Sequence, residues 1–229
     1  MTMGKGSVLS VSVSVGLATG IYGISFGALS VTAGFDLWQT MALSLLMFSG
    51  GSQFAFVAVF ATGGVAALPA AITSAWLVGI RNGFYALTLA PKLGPKGLQK
   101  IFAAQLTIDE STAVSASREL ETEQRKGFWL TGAAVFVFWN LMTLLGAVLG
   151  NALGDPRAWG LDAAAAAAFL ALLWPRLKQR QALAVAASAF FIAVVTTPSL
   201  PAGIPVIIAG VVALIVGLFN LFEEKAKGE

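Results

Sequence analysis

Four long stretches without a charged residue decide what this chain can become: 30 residues between Lys5 and Asp36, 44 between Asp36 and Arg81, 28 between Lys126 and Asp155, and 42 between Arg180 and Glu223. About 20 apolar residues cross a bilayer as a helix, so every run can cross and the two longest must each hold two helices. A soluble domain carries about 25% charged residues, whereas this chain is 11% charged and 57% hydrophobic. It lacks the polar surface that an aqueous fold needs. The expected fold class is therefore all-α, a polytopic transmembrane helix bundle of about seven helices, within a range of about six to eight.

Glycine, proline and charge positions divide the chain, taken as one transmembrane domain over 1–229, into segments near 8–31, 39–62, 66–90, 101–117, 128–150, 158–175, 182–197 and 203–222. The first is too long for the h-region of a signal peptide and has no small-residue cleavage site after a basic start, so it reads as a retained span. The fourth is short and carries Asp109 and Glu110 in its middle, so it must be shielded by other helices or be re-entrant. Lys and Arg gather on the cytoplasmic side of membrane proteins. Six of them lie in 92–126 and three in 176–180, against none in 32–38, 62–66 and 198–205. Placing the basic stretches and the tail inside requires the fourth segment to return to the side it left. That gives seven full spans with an outside N-terminus, or six if the first segment is also broken. Gly16, Gly20, Gly23 and Gly27 make a break in the first segment an expectation. No clean repeat is visible, yet the first and fourth segments open successive three-segment groups, and repeat-built transporters place binding sites at broken helices. The alanine-rich tract from Asp162 reads as close helix packing, and 196–205, with three prolines, as an external turn.

Composition also removes whole function classes. The net charge of +3 resides in short loops rather than on a nucleic-acid face. With no His and no Cys, and neither a nucleophile elbow nor a phosphate loop, the chain offers no metal site, no cofactor motif and no catalytic constellation. It is not read as an enzyme.

Three polar clusters interrupt the apolar segments. Ser49-Gly50-Gly51-Ser52-Gln53-Phe54 places two adjacent glycines at membrane depth, weakening the helix and exposing backbone amides and carbonyls, with Gln53 adding a donor and an acceptor. Such a site can hold a zwitterion; the same residues also suit a tight helix crossing. Arg81-Asn82 is next. A buried arginine costs at least about 2.5 kcal/mol on insertion scales, so it must be paired or face a polar cavity, unless it snorkels to the interface. Helical spacing puts Arg81, Tyr85 and Thr88 on one face, where a carboxylate could be gripped. In the third cluster Asp109 and Glu110 lie about 100 degrees apart on a helix, so one can pair with Arg81 while the other faces a different environment. Desolvation favours the neutral form of a carboxylate without a cation, which suits proton coupling. Gln105, Asp109 and Thr112 also share one face, extending the polar stripe a turn each way.

At these places the sequence resembles the AzlC family of branched-chain amino acid permeases. The resemblance rests on Gly23-Ile24-Ser25-Phe26-Gly27-Ala28-Leu29, on Phe48-Ser49-Gly50-Gly51-Ser52-Gln53-Phe54, on Arg81 with Tyr85, and on Leu106-Thr107 with Asp109-Glu110-Ser111. Beyond Val114 it is a matter of hydropathy and length. Where the family usually shows Asn-Leu-Arg-His, this chain has Gly79-Ile80-Arg81-Asn82. The resemblance implies export of amino acids such as valine, a bacterial inner-membrane location and a small AzlD-type membrane protein as the second subunit, while the distribution of Lys and Arg puts the C-terminus in the cytoplasm. The expected site uses Gly50, Gly51, Gln53, Arg81, Asn82 and Tyr85 for substrate, with Asp109 and Glu110 for proton coupling. Arg81 would hold the substrate carboxylate or Asp109, Gln53 with the Gly50 and Gly51 backbone the ammonium, and Phe54, Phe84 and Trp76 the aliphatic group. Rival readings are an ion-conducting pore lined by the same stripe and an assembly subunit whose charges only pair helices.

Overall fold

A computed structural model describes residues 7–152, 170, 173–200 and 204–219. The described residues are helical, without strands: α1 (Val8–Thr32), α2 (Leu37–Leu46), α3 (Gly51–Gly63), α4 (Leu68–Leu93), α5 (Gln99–Gln105), α6 (Asp109–Ala116), α7 (Glu121–Ala152), α8 (Arg180–Thr196) and α9 (Ile204–Leu218), with short 3₁₀ turns at Gly64–Ala67 and Trp174–Lys178. At 1.5 Å per residue, α1, α4 and α7 are each long enough to cross a bilayer, whereas α3 reaches about two-thirds of the way and α2, α5 and α6 about halfway or less. The segment expected over 158–175, including Asp162 and its alanine tract, lies almost wholly outside the described residues.

Local chemistry sets several ends. The Ser7 hydroxyl accepts from the Ser10 N–H at 3.2 Å to start α1. Asp36 and Gln39 form a reciprocal capping box at α2, with bonds of 2.7 and 2.9 Å. Gly94, in the left-handed region at φ 57, ends α4.

The central pair is α1 with α7. Contacts climb together along both helices: Ser12 meets Thr131 at 2.8 Å, and Gly16, Gly20, Gly23 and Gly27 face Ala134, Phe138, Trp139 and Thr143 in turn. The two helices are therefore parallel. Missing side chains at these positions let the backbones approach closely, and a Cβ on Gly27 would run into the Thr143 carbonyl oxygen. This corrects the expected break in the first segment. A stripe of glycines at spacings of four, three and four is a packing face on an uninterrupted helix.

The second segment is the broken one, and it turns back instead of crossing. Thr40 bonds Ser30 near the end of α1, at 2.8 Å, and Ser44 bonds Thr143 deeper in, at 3.3 Å. After the turn at Met47–Gly50, α3 returns, so that Phe56 and Phe60 stack around Phe35 in the loop that α2 left, at 5.9 and 4.4 Å. α4 starts on that same side and crosses. The fourth segment is re-entrant, as its acidic middle requires, and enters from the opposite side. Ala103 of α5 packs with Leu89, Leu93 and Phe128. The chain turns at Leu106–Ile108 and α6 runs back along the start of α7, with Val114 against Gly127 and Leu106 against Gly132.

Two hairpins thus enter from opposite faces and meet near mid-depth, where Gln105 Nε2 donates to the Leu45 carbonyl at 2.7 Å. With both hairpins turning back, α1 begins on the side where α4 ends and α7 begins. Lys92, Lys96, Lys100, Arg118, Arg125 and Lys126 crowd that side. The expectation of an N-terminus opposite the basic loops is corrected accordingly. α8 has no buried residue; α9 reaches the main core through Ile207 and sets Gly210 by Leu77 of α4.

Candidate functional site

Each hairpin tip is clasped by the side chain three residues beyond it. In the first, Gln53 is fully buried. Its Oε1 accepts from the Gly50 N–H at 3.1 Å, and its Nε2 donates to the carbonyls of Leu43 at 2.9 Å and Ser44 at 3.3 Å, tying α3 to the end of α2. Gly50 takes φ 54, a left-handed conformation that a Cβ would strain. In the second, Ser111 Oγ accepts from the Ile108 N–H at 3.2 Å and donates to the Leu106 carbonyl at 2.6 Å. The same offset serves both: the residue three places into the new helix closes the turn before it.

Because the tips meet, α3 and α6 begin at the centre of the protein, and both helix N-termini bring their free amides and partial positive charge there. Their first turns differ. That of α3 contains no acid, whereas that of α6 carries Asp109 and Glu110. Arg81 of α4 faces Asp109 with two contacts, Nε to Oδ1 at 3.1 Å and Nη2 to Oδ2 at 2.8 Å. The guanidinium also lies over Gly51, where a Cβ would be 3.1 Å from Nη2 and 3.4 Å from Nη1. The geometry is that of a charge-assisted fork, which explains how an arginine is kept in this position.

These groups line a cavity of about 200 Å³. One wall is polar, with Gly50 and Gly51 at the start of α3 beside Arg81, and with Asp109 and Glu110 at the start of α6. The remainder is largely aromatic: Tyr22, Phe48, Phe54 and Trp139. Phe26, Phe54 and Trp139 pack ring against ring, fixing that wall. Trp139 is 3% exposed and its indole N–H has no hydrogen-bond partner among the described residues. Thr19 lines the same cavity as Glu110, and among the described residues no cation stands within ion-pair distance of Glu110.

Of the residues singled out by sequence, Gly50, Gly51, Arg81, Asp109, Glu110 and the apolar Phe54 come together here. Gln53 sits behind the wall with both ends of its amide engaged. Asn82 faces the other way, donating from Nδ2 to Ser49 Oγ at 3.2 Å, on the wall of a neighbouring cavity of about 420 Å³ that also holds Trp76 and Gln105. Tyr85 lines neither cavity. Phe84 is 63% exposed and points outward. The face proposed for Gln105, Asp109 and Thr112 does not exist as such, because the helix is interrupted at Leu106–Ile108 between them. Thr19, Tyr22 and Trp139 were not anticipated. They reach the cavity only through the pairing of α1 with α7, which no local pattern announces.

Compared with known families, residues 14–153 match the one described as AzlC protein. The chain belongs to the AzlC family. The match takes in both re-entrant hairpins, Arg81 and all of α7, and so extends well past Val114. A protein of Archaeoglobus fulgidus described as an uncharacterized membrane protein is 34% identical to this AzlC chain over 160 residues, 68% of each. No solved structure matches it. Among the described residues of the AzlC chain, three stretches, Val8–Thr32, Gly51–Leu93 and Glu121–Ala152, are long and apolar enough to cross a bilayer. It is a membrane protein.

Proposed function

We propose that this AzlC chain exports apolar amino acids, branched-chain ones foremost, as one subunit of a proton-coupled heteromeric permease. The observation that carries the reading is the polarity of the central cavity. Its positive pole is the acid-free start of α3 with Arg81 over Gly51, suited to a carboxylate. Its negative pole is Glu110, lining the same small space at the start of α6, suited to an ammonium group or a proton. Phe48, Phe54 and Trp139 between them favour an aliphatic side chain. Since Arg81 is already paired with Asp109, it shares the carboxylate with the α3 amides instead of holding it alone. Broken half-helices with N-termini aimed at a mid-depth site are the arrangement in which secondary transporters bind anionic substrate groups.

The family resemblance supplies the direction and the second subunit, a small AzlD-type membrane protein. The outward-facing apolar side chains of α8, among them Phe190, Phe191 and Val195, are compatible with such a neighbour. The basic end of α4 and α7 is assigned to the cytoplasm of a bacterial inner membrane, with the C-terminus on the same side.

The test is efflux of preloaded valine, leucine and isoleucine from cells making this chain with its presumed partner, beside an Arg81→Ala variant. Efflux above the empty host, lost in the variant, is expected. Efflux no greater than the host for every amino acid would refute the assignment.

A further inference from the structure

We infer that Glu110 is a single cation site occupied in turn by a proton and by the ammonium group of the solute, so that binding of the solute displaces a proton. This deepens the transport reading above and rests on it for the identity of the solute.

The charges in the cavity lead to this. Arg81 and Asp109 neutralise each other through two contacts, the ionic one at 2.8 Å. Glu110 remains as the carboxylate without a cation. Among the described residues the elements packed around it offer no second positive side chain: α1 presents Thr19 and Tyr22, α3 presents Gly50, Gly51 and Phe54, α7 presents Val135 and Trp139, and α4 presents Arg81, already engaged. A carboxylate in a space of about 200 Å³ walled by aromatic rings has few ways to be neutral there. It takes up a proton, or it faces a cation small enough to enter. A primary ammonium is such a cation. It has three donors for the Glu110 oxygens, and Tyr22 and Phe54 provide ring faces for it. The two occupants use the same oxygen atoms in a space of about 200 Å³, so they exclude each other. No bond other than O–H breaks: the proton leaves Glu110 for solvent as the ammonium arrives.

Isothermal titration of the purified full-length chain with L-leucine, isoamylamine and 4-methylpentanoate tests this. The three share one aliphatic tail and differ in whether they carry the ammonium, the carboxylate or both. Each titration is run in two buffers of different ionisation enthalpy across a pH series, which counts the protons exchanged. Leucine and isoamylamine should release up to about one proton per molecule bound at acidic pH and none at alkaline pH. Over the window between, isoamylamine affinity should rise about tenfold per pH unit and then level. The acid should release none, and Glu110→Gln should show no proton exchange with any of the three.

The proposal is overturned if wild-type protein binds leucine or isoamylamine without proton release at every pH, if 4-methylpentanoate releases as much, or if Glu110→Gln retains the release. Failure of both amines to bind overturns it too. The wild-type titrations decide the matter even if the variant does not fold. Proton release without cellular efflux would leave the site standing and refute transport. Efflux without proton release would do the reverse.

Discussion

Replacing the glycines of α1 with alanine, one at a time, tests the seam with α7 that carries the Trp139 wall of the cavity. A methyl group at Gly16 would come 2.8 Å from Ala134 Cβ, at Gly20 2.7 Å from Phe138 Cβ, and at Gly23 2.7 Å from the Trp139 carbonyl oxygen, where ordinary contact begins at 3.4 Å. Parting the helices by about 0.6 to 0.7 Å relieves each of these, but a gap of 0.5 to 1 Å forfeits about a quarter to a half of each dispersion contact elsewhere on the seam. Gly27 is more confined, since its methyl would meet the Thr143 carbonyl and the Ala147 amide. Overpacking of a close-packed interior costs about 1 to 3 kcal/mol. Gly16→Ala and Gly20→Ala are expected near the lower bound, about 1 kcal/mol, and Gly27→Ala near the upper, about 3 kcal/mol. One parting serves all positions, so Gly20→Ala with Gly27→Ala should cost less than the sum of the two, by on the order of 1 kcal/mol. Reversible unfolding in mixed micelles, followed by tryptophan fluorescence, measures both quantities. Equal costs at Gly16 and Gly27, or strict additivity of the pair, would show that α1 and α7 are not held at backbone contact.

Two further outcomes follow from the cavity and its tips. Arg81→Gln and Asp109→Asn should each destabilise the fold by about 1 to 3 kcal/mol, below the figure for a fully buried pair because the two side chains are 29% and 37% exposed; the double variant should cost less than their sum, and additivity in the same unfolding assay would deny the pairing. Gln53→Ala strands the Gly50 amide, while the Leu43 carbonyl keeps the Met47 N–H, a loss of about 1 to 3 kcal/mol, and should speed hydrogen exchange across 43–53 while leaving 106–112 unchanged, whereas Ser111→Ala should do the opposite. Exchange that spreads equally through both tips in either variant would mean that the clasps do not act locally.

The membrane-spanning parts were legible because charge-free length is a direct physical requirement of the bilayer: α1 and most of α7 lie in such runs, and α4 begins in one before continuing through Arg81. The misplaced break has an equally plain cause. Glycine both weakens helices and permits close crossings, and only spacing separates the roles. Gly16, Gly20, Gly23 and Gly27 recur on one helical face, whereas Gly50-Gly51 is an isolated pair followed by Gln53 at the capping offset. That offset was a usable signal and also accounts for Gln53, whose polarity suggested contact with a solute but is spent on the backbone. Arg81 and the acidic pair were found because intramembrane charge is costly enough to need a reason. Thr19, Tyr22 and Trp139 stayed hidden because they are ordinary residues on apolar helices, brought to the cavity by a parallel pairing across more than a hundred residues of chain.

The clasped tip at Gly50 has a consequence for how this protein can be dissected. Part of what the cavity presents is main chain at the start of α3, which no side-chain deletion removes, so an alanine scan would read Arg81, Asp109 and Glu110 directly and that stretch of wall only through the strain a Cβ brings at Gly50 and Gly51. Backbone amide-to-ester replacement at Gly51 or Ser52 would make that wall visible, by removing a donor while keeping every side chain. A functional map drawn from side chains alone would therefore depict a one-sided acidic pocket where the molecule holds a two-ended one.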